Sequence, residues 1–225
     1  MVLSDRAILR HMEAGTITIS PFVRANLTTT SYDVALGKWY YRENRSRSGH
    51  TIYNPYSQEN VAKVWGEQAE SAEPAEKWMS EHGPLENIDP ADEIIWIAAG
   101  ETILAHTEEF IGGRETVTTM MKARSSGGRN FINVCKCAGW GDVGYVNRWT
   151  MEISNSSRDH TIPLVVGRRY AQIIFFECEP IIEATANYAQ SGKYQSGDNL
   201  DELRKLWTPD QMLPKMYLDR EIRRP

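Results

Sequence analysis

Residues 138–153 read AGWGDVGYVNRWTMEI. Glycines and an aspartate crowd the first half, which is turn chemistry, and the second half runs as a strand. Side chains alternate faces along a strand, so Tyr145, Asn147, Trp149, Met151 and Ile153 share one side and Val146, Arg148, Thr150 and Glu152 the other. On this pattern alone the second face is expected in water, with Glu152 paired to Arg148. A turn feeding a short alternating strand is the repeating unit of an antiparallel sheet.

The same unit recurs on both sides of the stretch. EIIWIAAGETILAHTEEFI (93–111), TVTTMMKA (116–123), NFINVCKC (130–137), TIPLVVG (161–167) and RYAQIIFFE (169–177) are short β-like runs separated by turn residues. TITIS (16–20) and SYDVALGKWYY (31–41), the latter broken by Gly37, read likewise. Such spacing predicts a mainly β fold, an antiparallel barrel or jelly roll, and argues against a parallel α/β sheet. One short helix is expected first, with Ser4 as N-cap, Ile8, Leu9 and Met12 as an apolar stripe and Gly15 as the stop. From about 42 to 90 the composition turns polar, RENRSRSG and then an Ala- and Glu-rich run, predicting a partly helical insertion that Trp65 and Trp78 pack back onto the body. The tail from Ser196 to Pro225 carries one helical piece, LDELRKLW, with Pro209, Pro214 and Pro225 breaking the rest. The whole, 1–225, is expected to be a single domain, since 225 residues with 41% hydrophobic content can bury one sizeable core.

The apolar runs are far shorter than the roughly 20 residues a membrane span needs, and the N-terminus lacks the basic start and apolar core of a signal peptide. A cytoplasmic protein without membrane partners is expected. The net charge of -5 argues against general nucleic-acid binding while leaving room for a local pocket that holds a small polyanion. Three cysteines, Cys135, Cys137 and Cys178, suggest reduced thiols. Cys135-Lys136-Cys137 offers at most half a metal site, with no neighbouring pair to complete four ligands.

The most specific local string is ARSSGGR, residues 123–129. Guanidinium forks, hydroxyls and backbone N–H groups freed by glycine are what a phosphate chain requires.

With SDRAI (4–8), GTITISPF (15–22), SYDVALG, ARSSGGR, AGWGDVGY, the Glu152 strand, IPLVVGRRYAQIIFFE and GKYQ (192–195) in this order, the chain resembles the dCTP deaminase family of the trimeric dUTPase superfamily. The resemblance implies a distorted β-barrel assembled as a homotrimer, with nucleotide sites at subunit interfaces. It also implies a role for the glutamate: where plain dUTPases look aliphatic ten residues after the turn aspartate, the deaminases carry their catalytic carboxylate, here Glu152. A positioned carboxylate can deprotonate water and hand protons to N3 and the leaving amine of cytosine. Zinc deaminases do this with an HxE and PCxxC signature, which this chain lacks, so zinc-independent chemistry is expected.

By the same resemblance, Arg129 holds Glu152, and Arg124, Ser125 and Ser126 bind phosphate. Lys136 and Ala138 lie along the pyrimidine, Ala138 reading its edge. Asp142 meets the sugar 3'-hydroxyl and, in phosphate-cleaving relatives, positions a water. Tyr188, Lys193 and Gln195 belong to a C-terminal segment that folds over the nucleotide, and Mg²⁺ arrives with the triphosphate. Three departures stand out: Asn147 where glycine is usual, Gly141 where an aliphatic residue is usual, and the Cys-Lys-Cys run beside the base. AGW before Asp142, together with GKYQ, favours the type that takes dCTP to dUMP and pyrophosphate, in deoxypyrimidine biosynthesis. The alternatives are a deaminase that releases dUTP, or a dUTPase.

Overall fold

The computed structural model describes residues 1–43, 52–182, 188–195, 197 and 199–221. Residues 44–49 of the RENRSRSG run, Ser196 and Pro225 lie outside the described residues. In chain order the elements are α1 (Asp5–Glu13), β1 (Ile17–Ser20), β2 (Tyr32–Arg42), α2 (Gln58–Trp65), β3 (Glu70–Ser71), β4 (Glu73–Pro74), α3 (Ala75–His82), β5 (Glu93–Ile97) and β6 (Thr102–Gly113). They continue with β7 (Val117–Ala123), α4 (Ser125–Arg129), β8 (Ile132–Asn133), β9 (Trp140–Gly141), β10 (Val146–Asn155), β11 (Ile162–Val165), β12 (Arg169–Glu177), α5 (Tyr188–Ser191) and α6 (Leu200–Leu206).

α1 forms as its sequence dictates. The Ser4 hydroxyl accepts the Ala7 amide, Asp5 and the Arg10–His11 pair complement the helix dipole, and Gly15 leaves the helix at φ +79°. Ile8 is fully buried and pins it to the barrel.

The strands form a curled antiparallel sheet in the order β8-β10-β6-β2-β12-β7-β9, with β1 added to β6 and β3 to β2. A second sheet runs β11-β5-β4. Ile103, Ala105 and Ile111 of β6, Met151 and Ile153 of β10, and Ile173 and Phe175 of β12 meet in the main core. The long, twelve-residue β6 does not alternate in burial, because its other face is covered too: Leu104 joins Tyr41 and Met212, and Phe110 joins Val146 and Leu203.

Two sequence expectations change here. Gly37 does not break β2, which runs unbroken from Tyr32 to Arg42. It makes room, since a Cβ there would stand 1.9 Å from the His106 ring. NFINVCKC yields only the two residues of β8, because Cys135 and Lys136 both adopt left-handed backbone, at φ 58° and 43°, which turns the chain out of the strand. The insertion supplies α2 and α3 as expected. Trp65 packs with the Tyr41 cluster, and the Trp78 ring lies 5.2 Å from that of Trp96.

Candidate active site

β10 carries Glu152 opposite Leu104 of β6, on the face that the pattern alone placed in water. That face is covered by the C-terminal segment, and the alternation along β10 is buried against half-buried. Arg148 does not pair with Glu152. It faces Glu108 at 3.8 Å and lies over the rings of Phe110 and Trp207.

Glu152 opens into a cavity of about 680 Å³. Lys136, Ala138, Asp142, Tyr145 and Tyr188 line it with Glu152, and Trp207, Met212 and Pro214 close it from the C-terminal side. Glu152 Oε2 is buried and has no hydrogen-bond partner among the described residues. Burial pushes its carboxyl above the ordinary carboxylate range; its own backbone amide, the Cys135 thiol and the Lys136 ammonium pull the other way without cancelling the rise. A carboxyl so placed can exchange protons with something bound beside it.

The loop beside Glu152 is held by backbone. The Cys135 amide donates to the Glu152 carbonyl (3.1 Å), the Ala138 amide to the Cys135 carbonyl (2.7 Å), and the Met121 amide to the Gly139 carbonyl (2.7 Å). The consecutive left-handed residues Cys135 and Lys136 carry strain that these bonds hold in place, and they bring the Lys136 charge to bear on Glu152. Gly141 fits by the same logic: a Cβ there would sit 2.4 Å from both Trp149 and Thr119, so the bulky Trp149 takes the volume an aliphatic residue would fill.

The eleven predicted site residues fall into three groups. Glu152, Asp142, Lys136, Ala138 and Tyr188 share the cavity. Tyr188 is fastened by its amide to the Val143 carbonyl (3.1 Å) and stacks edge-on against Tyr145, with centroids 5.0 Å apart. Arg124, Ser125, Ser126 and Arg129 lie elsewhere: none of them lines the cavity, and the serines and Arg129 are exposed on α4. Arg124 Nε donates instead to Asp33 Oδ2 (3.0 Å). Within one chain, therefore, Arg129 does not reach Glu152. Two further predicted residues, Lys193 and Gln195, are engaged in fastening the C-terminal segment. Lys193 pairs with Asp219, while the buried Gln195 accepts the Val146 amide (2.8 Å) and donates to the carbonyls of Gly144 (3.2 Å) and Gly197 (3.0 Å).

Sequence reasoning missed three contributors. Tyr145 stands in the cavity between Trp149 and Tyr188, and its aromatic ring next to the Asp142 turn was a readable signal. Asn147 is 1% exposed and donates to the Tyr194 carbonyl (2.8 Å) and Gln211 Oε1 (3.3 Å), which gives the departure from glycine a purpose. Asp33 is a lone acid inside the apolar SYDVALG run, itself a signal of a committed partner.

Among the described residues no group of three or more His, Cys, Asp or Glu is placed to hold a metal ion. No helix among them is long and apolar enough to cross a membrane.

A family model described as dCTP deaminase-like matches residues 2–178, and the chain belongs to that family. It is 26% identical over 198 residues to a protein of Methanosphaerula palustris named "dCTP deaminase, dUMP-forming", covering 87% of this chain and 90% of that one. A protein of the same name from Methanococcus vannielii is 28% identical over 175 residues, covering 78% and 81%. Among solved structures, the 2'-deoxycytidine 5'-triphosphate deaminase of Agrobacterium tumefaciens shares the fold at TM-score 0.52 and 17% identity, covering 77% of this chain and 47% of that longer one.

Proposed function

We propose that this dCTP deaminase-like chain hydrolyses dCTP at cytosine C4, with Glu152 as the proton carrier, and continues in the same site to dUMP and pyrophosphate. The observation that carries this is the buried, unpartnered oxygen of Glu152 facing a nucleotide-sized cavity. An unpaired buried carboxylate is costly unless something bound there uses it. The names of the two methanogen relatives support dUMP as the end product.

Ionised Glu152 takes a proton from water, whose oxygen adds to C4 while the proton passes to N3. The second water proton goes to the 4-amino group, the C4–N bond breaks, ammonia leaves, and a carbonyl remains at C4. The Ala138 amide is already spent on Cys135, so base reading by Ala138 falls to its carbonyl, an acceptor suited to the amino group of cytosine. In the second step a water positioned by exposed Asp142 attacks the α-phosphorus, and pyrophosphate leaves with the bridging oxygen. Mg²⁺ enters as part of the substrate: with no acidic cage among the described residues, the triphosphate oxygens and water hold it, and it offsets charge on the phosphates.

The chain acts as one domain in a homotrimer. Arg124, Ser125, Ser126 and Arg129 lie outside their own chain's cavity, which supports a site completed by the α4 of a second copy, with Arg129 arriving at Glu152 from there.

Product analysis tests the reading. With dCTP, ammonia, dUMP and pyrophosphate should appear together with little free dUTP. Asp142→Asn should uncouple the steps and let dUTP accumulate. Stoichiometric dUTP from the unaltered protein would make it a monofunctional deaminase; hydrolysis of dUTP with no ammonia from dCTP would make it a dUTPase.

A further inference from the structure

One buried carboxylate organises the phosphate end of the site. Asp33 sits in β2 with its side chain 4% exposed, and a single oxygen, Oδ2, receives two guanidinium groups: Arg124 through Nε at 3.0 Å and Arg169 through Nη1 at 3.2 Å. Arg124 Nη1 also donates to the Arg169 carbonyl at 3.1 Å, and the Arg124 amide to the Tyr170 carbonyl at 3.0 Å, so the two residues are stitched together through backbone as well. Neither arginine is buried with its partner: their side chains are 30% and 39% exposed. The pair thus reaches from a hidden anion to the surface.

A guanidinium has five N–H donors in a rigid fork. Among the described residues Arg124 commits two of them and Arg169 one, which leaves most of both forks free. Two positive charges against one negative leave the cluster net cationic, next to the exposed hydroxyls of Ser125 and Ser126. A buried ion pair of equal charges would be a structural device; an excess cation held half in water is suited to a polyanion.

We infer that Arg169 is a second phosphate-binding arginine of this site, and that Asp33 is the positioning residue that holds the forks of Arg124 and Arg169 side by side for adjacent phosphates of the nucleotide. This rests on Arg124 being a phosphate ligand, as the family resemblance implies and the proposed site requires, and adds a residue from β12 that neither the ARSSGGR string nor its exposure alone would have selected. Sharing one oxygen keeps the forks within two hydrogen-bond lengths of each other, so they contact neighbouring phosphoryl groups of a chain better than a single small anion. Affinity should therefore depend on phosphate number.

The test is a binding series of dCTP, dCDP, dCMP and deoxycytidine, measured by calorimetry in a Glu152→Gln background so that nothing is turned over. Adding Arg169→Ala should weaken dCTP about tenfold or more, weaken dCMP less, and leave deoxycytidine within about twofold. Arg169→Lys keeps the charge without the fork and should fall between. Asp33→Asn, which preserves shape while removing the anion, should flatten the series further than Arg169→Ala alone. Equal weakening of deoxycytidine and dCTP would mean a merely structural arginine and would overturn the inference. So would unchanged dCTP affinity in Arg169→Ala beside a loss in Arg124→Ala. Unchanged affinity in both variants would sink the phosphate assignment of Arg124 itself, a different failure.

Discussion

Two of the carboxylates that the fold withdraws from water are given opposite surroundings. Asp33 is met by two guanidinium groups on one oxygen. Glu152, on a neighbouring part of the same barrel, keeps an oxygen with no partner among the described residues. Burial raises the carboxyl of both and outweighs what opposes it: two arginines at Asp33, and a backbone amide, a thiol and one lysine at Glu152. An oxygen already shared by two guanidinium groups is suited to holding those groups in place. An anion left short of partners can take up and release a proton, which is what chemistry at a base requires. Holding cations in place and exchanging a proton thus need different electrostatic surroundings, and Asp33 and Glu152 have them.

The contrast predicts its largest effect at Glu152. Glu152→Gln should cut ammonia release from dCTP by about 10² to 10⁴-fold while nucleotide binding stays within a few-fold. A variant that keeps more than about a few per cent of the rate would end Glu152's role as proton carrier. In the unaltered protein the base must be ionised and burial opposes ionisation, so kcat/KM should climb with pH through a midpoint above the ordinary carboxyl value of 4.5. An acid limb at or below that value would remove the desolvation account.

A third buried carboxyl, Glu109, sharpens the comparison because among the described residues no cation pairs with it and it lines neither the Glu152 cavity nor the pocket beside Arg204. It is 2% exposed, accepts the Ala35 amide at 3.1 and 3.3 Å, and burial pushes it up to about 7. The folded protein therefore binds this proton more tightly than the unfolded chain does. Its contribution is fully present below the unfolded value of 4.5 and is lost as pH rises through about 7, by about 3 kcal/mol in all. Glu109→Gln keeps the acceptor and removes the titration, so its denaturant midpoint should be flatter than the parent's between about pH 5 and about pH 8 and higher at the upper end. Parallel curves would show that Glu109 finds a compensating cation in the assembled protein.

At the matched end the expected effect is smaller. Arg124→Ala should weaken triphosphate binding by about 1.5 to 3 kcal/mol, the worth of a charge-assisted hydrogen bond, and leave deoxycytidine affinity alone. Loss of both together would erase the distinction between the two regions.

What was legible in the sequence follows the same division. Period-2 runs and turn residues disclosed the strands, because that information is local: β7 and β12 fall within runs read from pattern, and β6 and β10 outrun theirs by two residues each. Glu152, Asp142 and Ala138 could be placed together because one turn and one strand carry them. Burial of the Glu152 face could not be read, since it depends on Trp207 and Met212, more than fifty residues downstream, folding back across β10 and β6. Gly37 and Gly141 misled for a related reason: a glycine that clears space for His106 or Trp149 looks locally like a strand breaker or a departure from pattern. Asp33 with Arg124 and Arg169 joins three strands' ends, so only the fold could assemble it.

The smallest predicted effect concerns how the two regions are kept in register with the tail. Asn147 is buried on β10 and ties the C-terminal segment down through the Tyr194 carbonyl and Gln211, while its own oxygen accepts the Arg148 amide at 2.9 Å. Tyr194 in turn accepts the Lys215 amide through its hydroxyl, at 3.1 Å, so one amide group fastens a segment that closes the cavity over Glu152. Replacing it with alanine removes hydrogen bonds worth about 1 kcal/mol without touching Glu152. If the segment closes over bound nucleotide, Asn147→Ala should raise KM for dCTP about fivefold, leave kcat within about twofold, and speed proteolysis between residues 195 and 208. Asn147→Gly should behave alike, with some further loss from backbone freedom. A faster cut with an unchanged KM would mean that the tail packs on the barrel but takes no part in holding the nucleotide, and the cavity's C-terminal wall would then be structural alone.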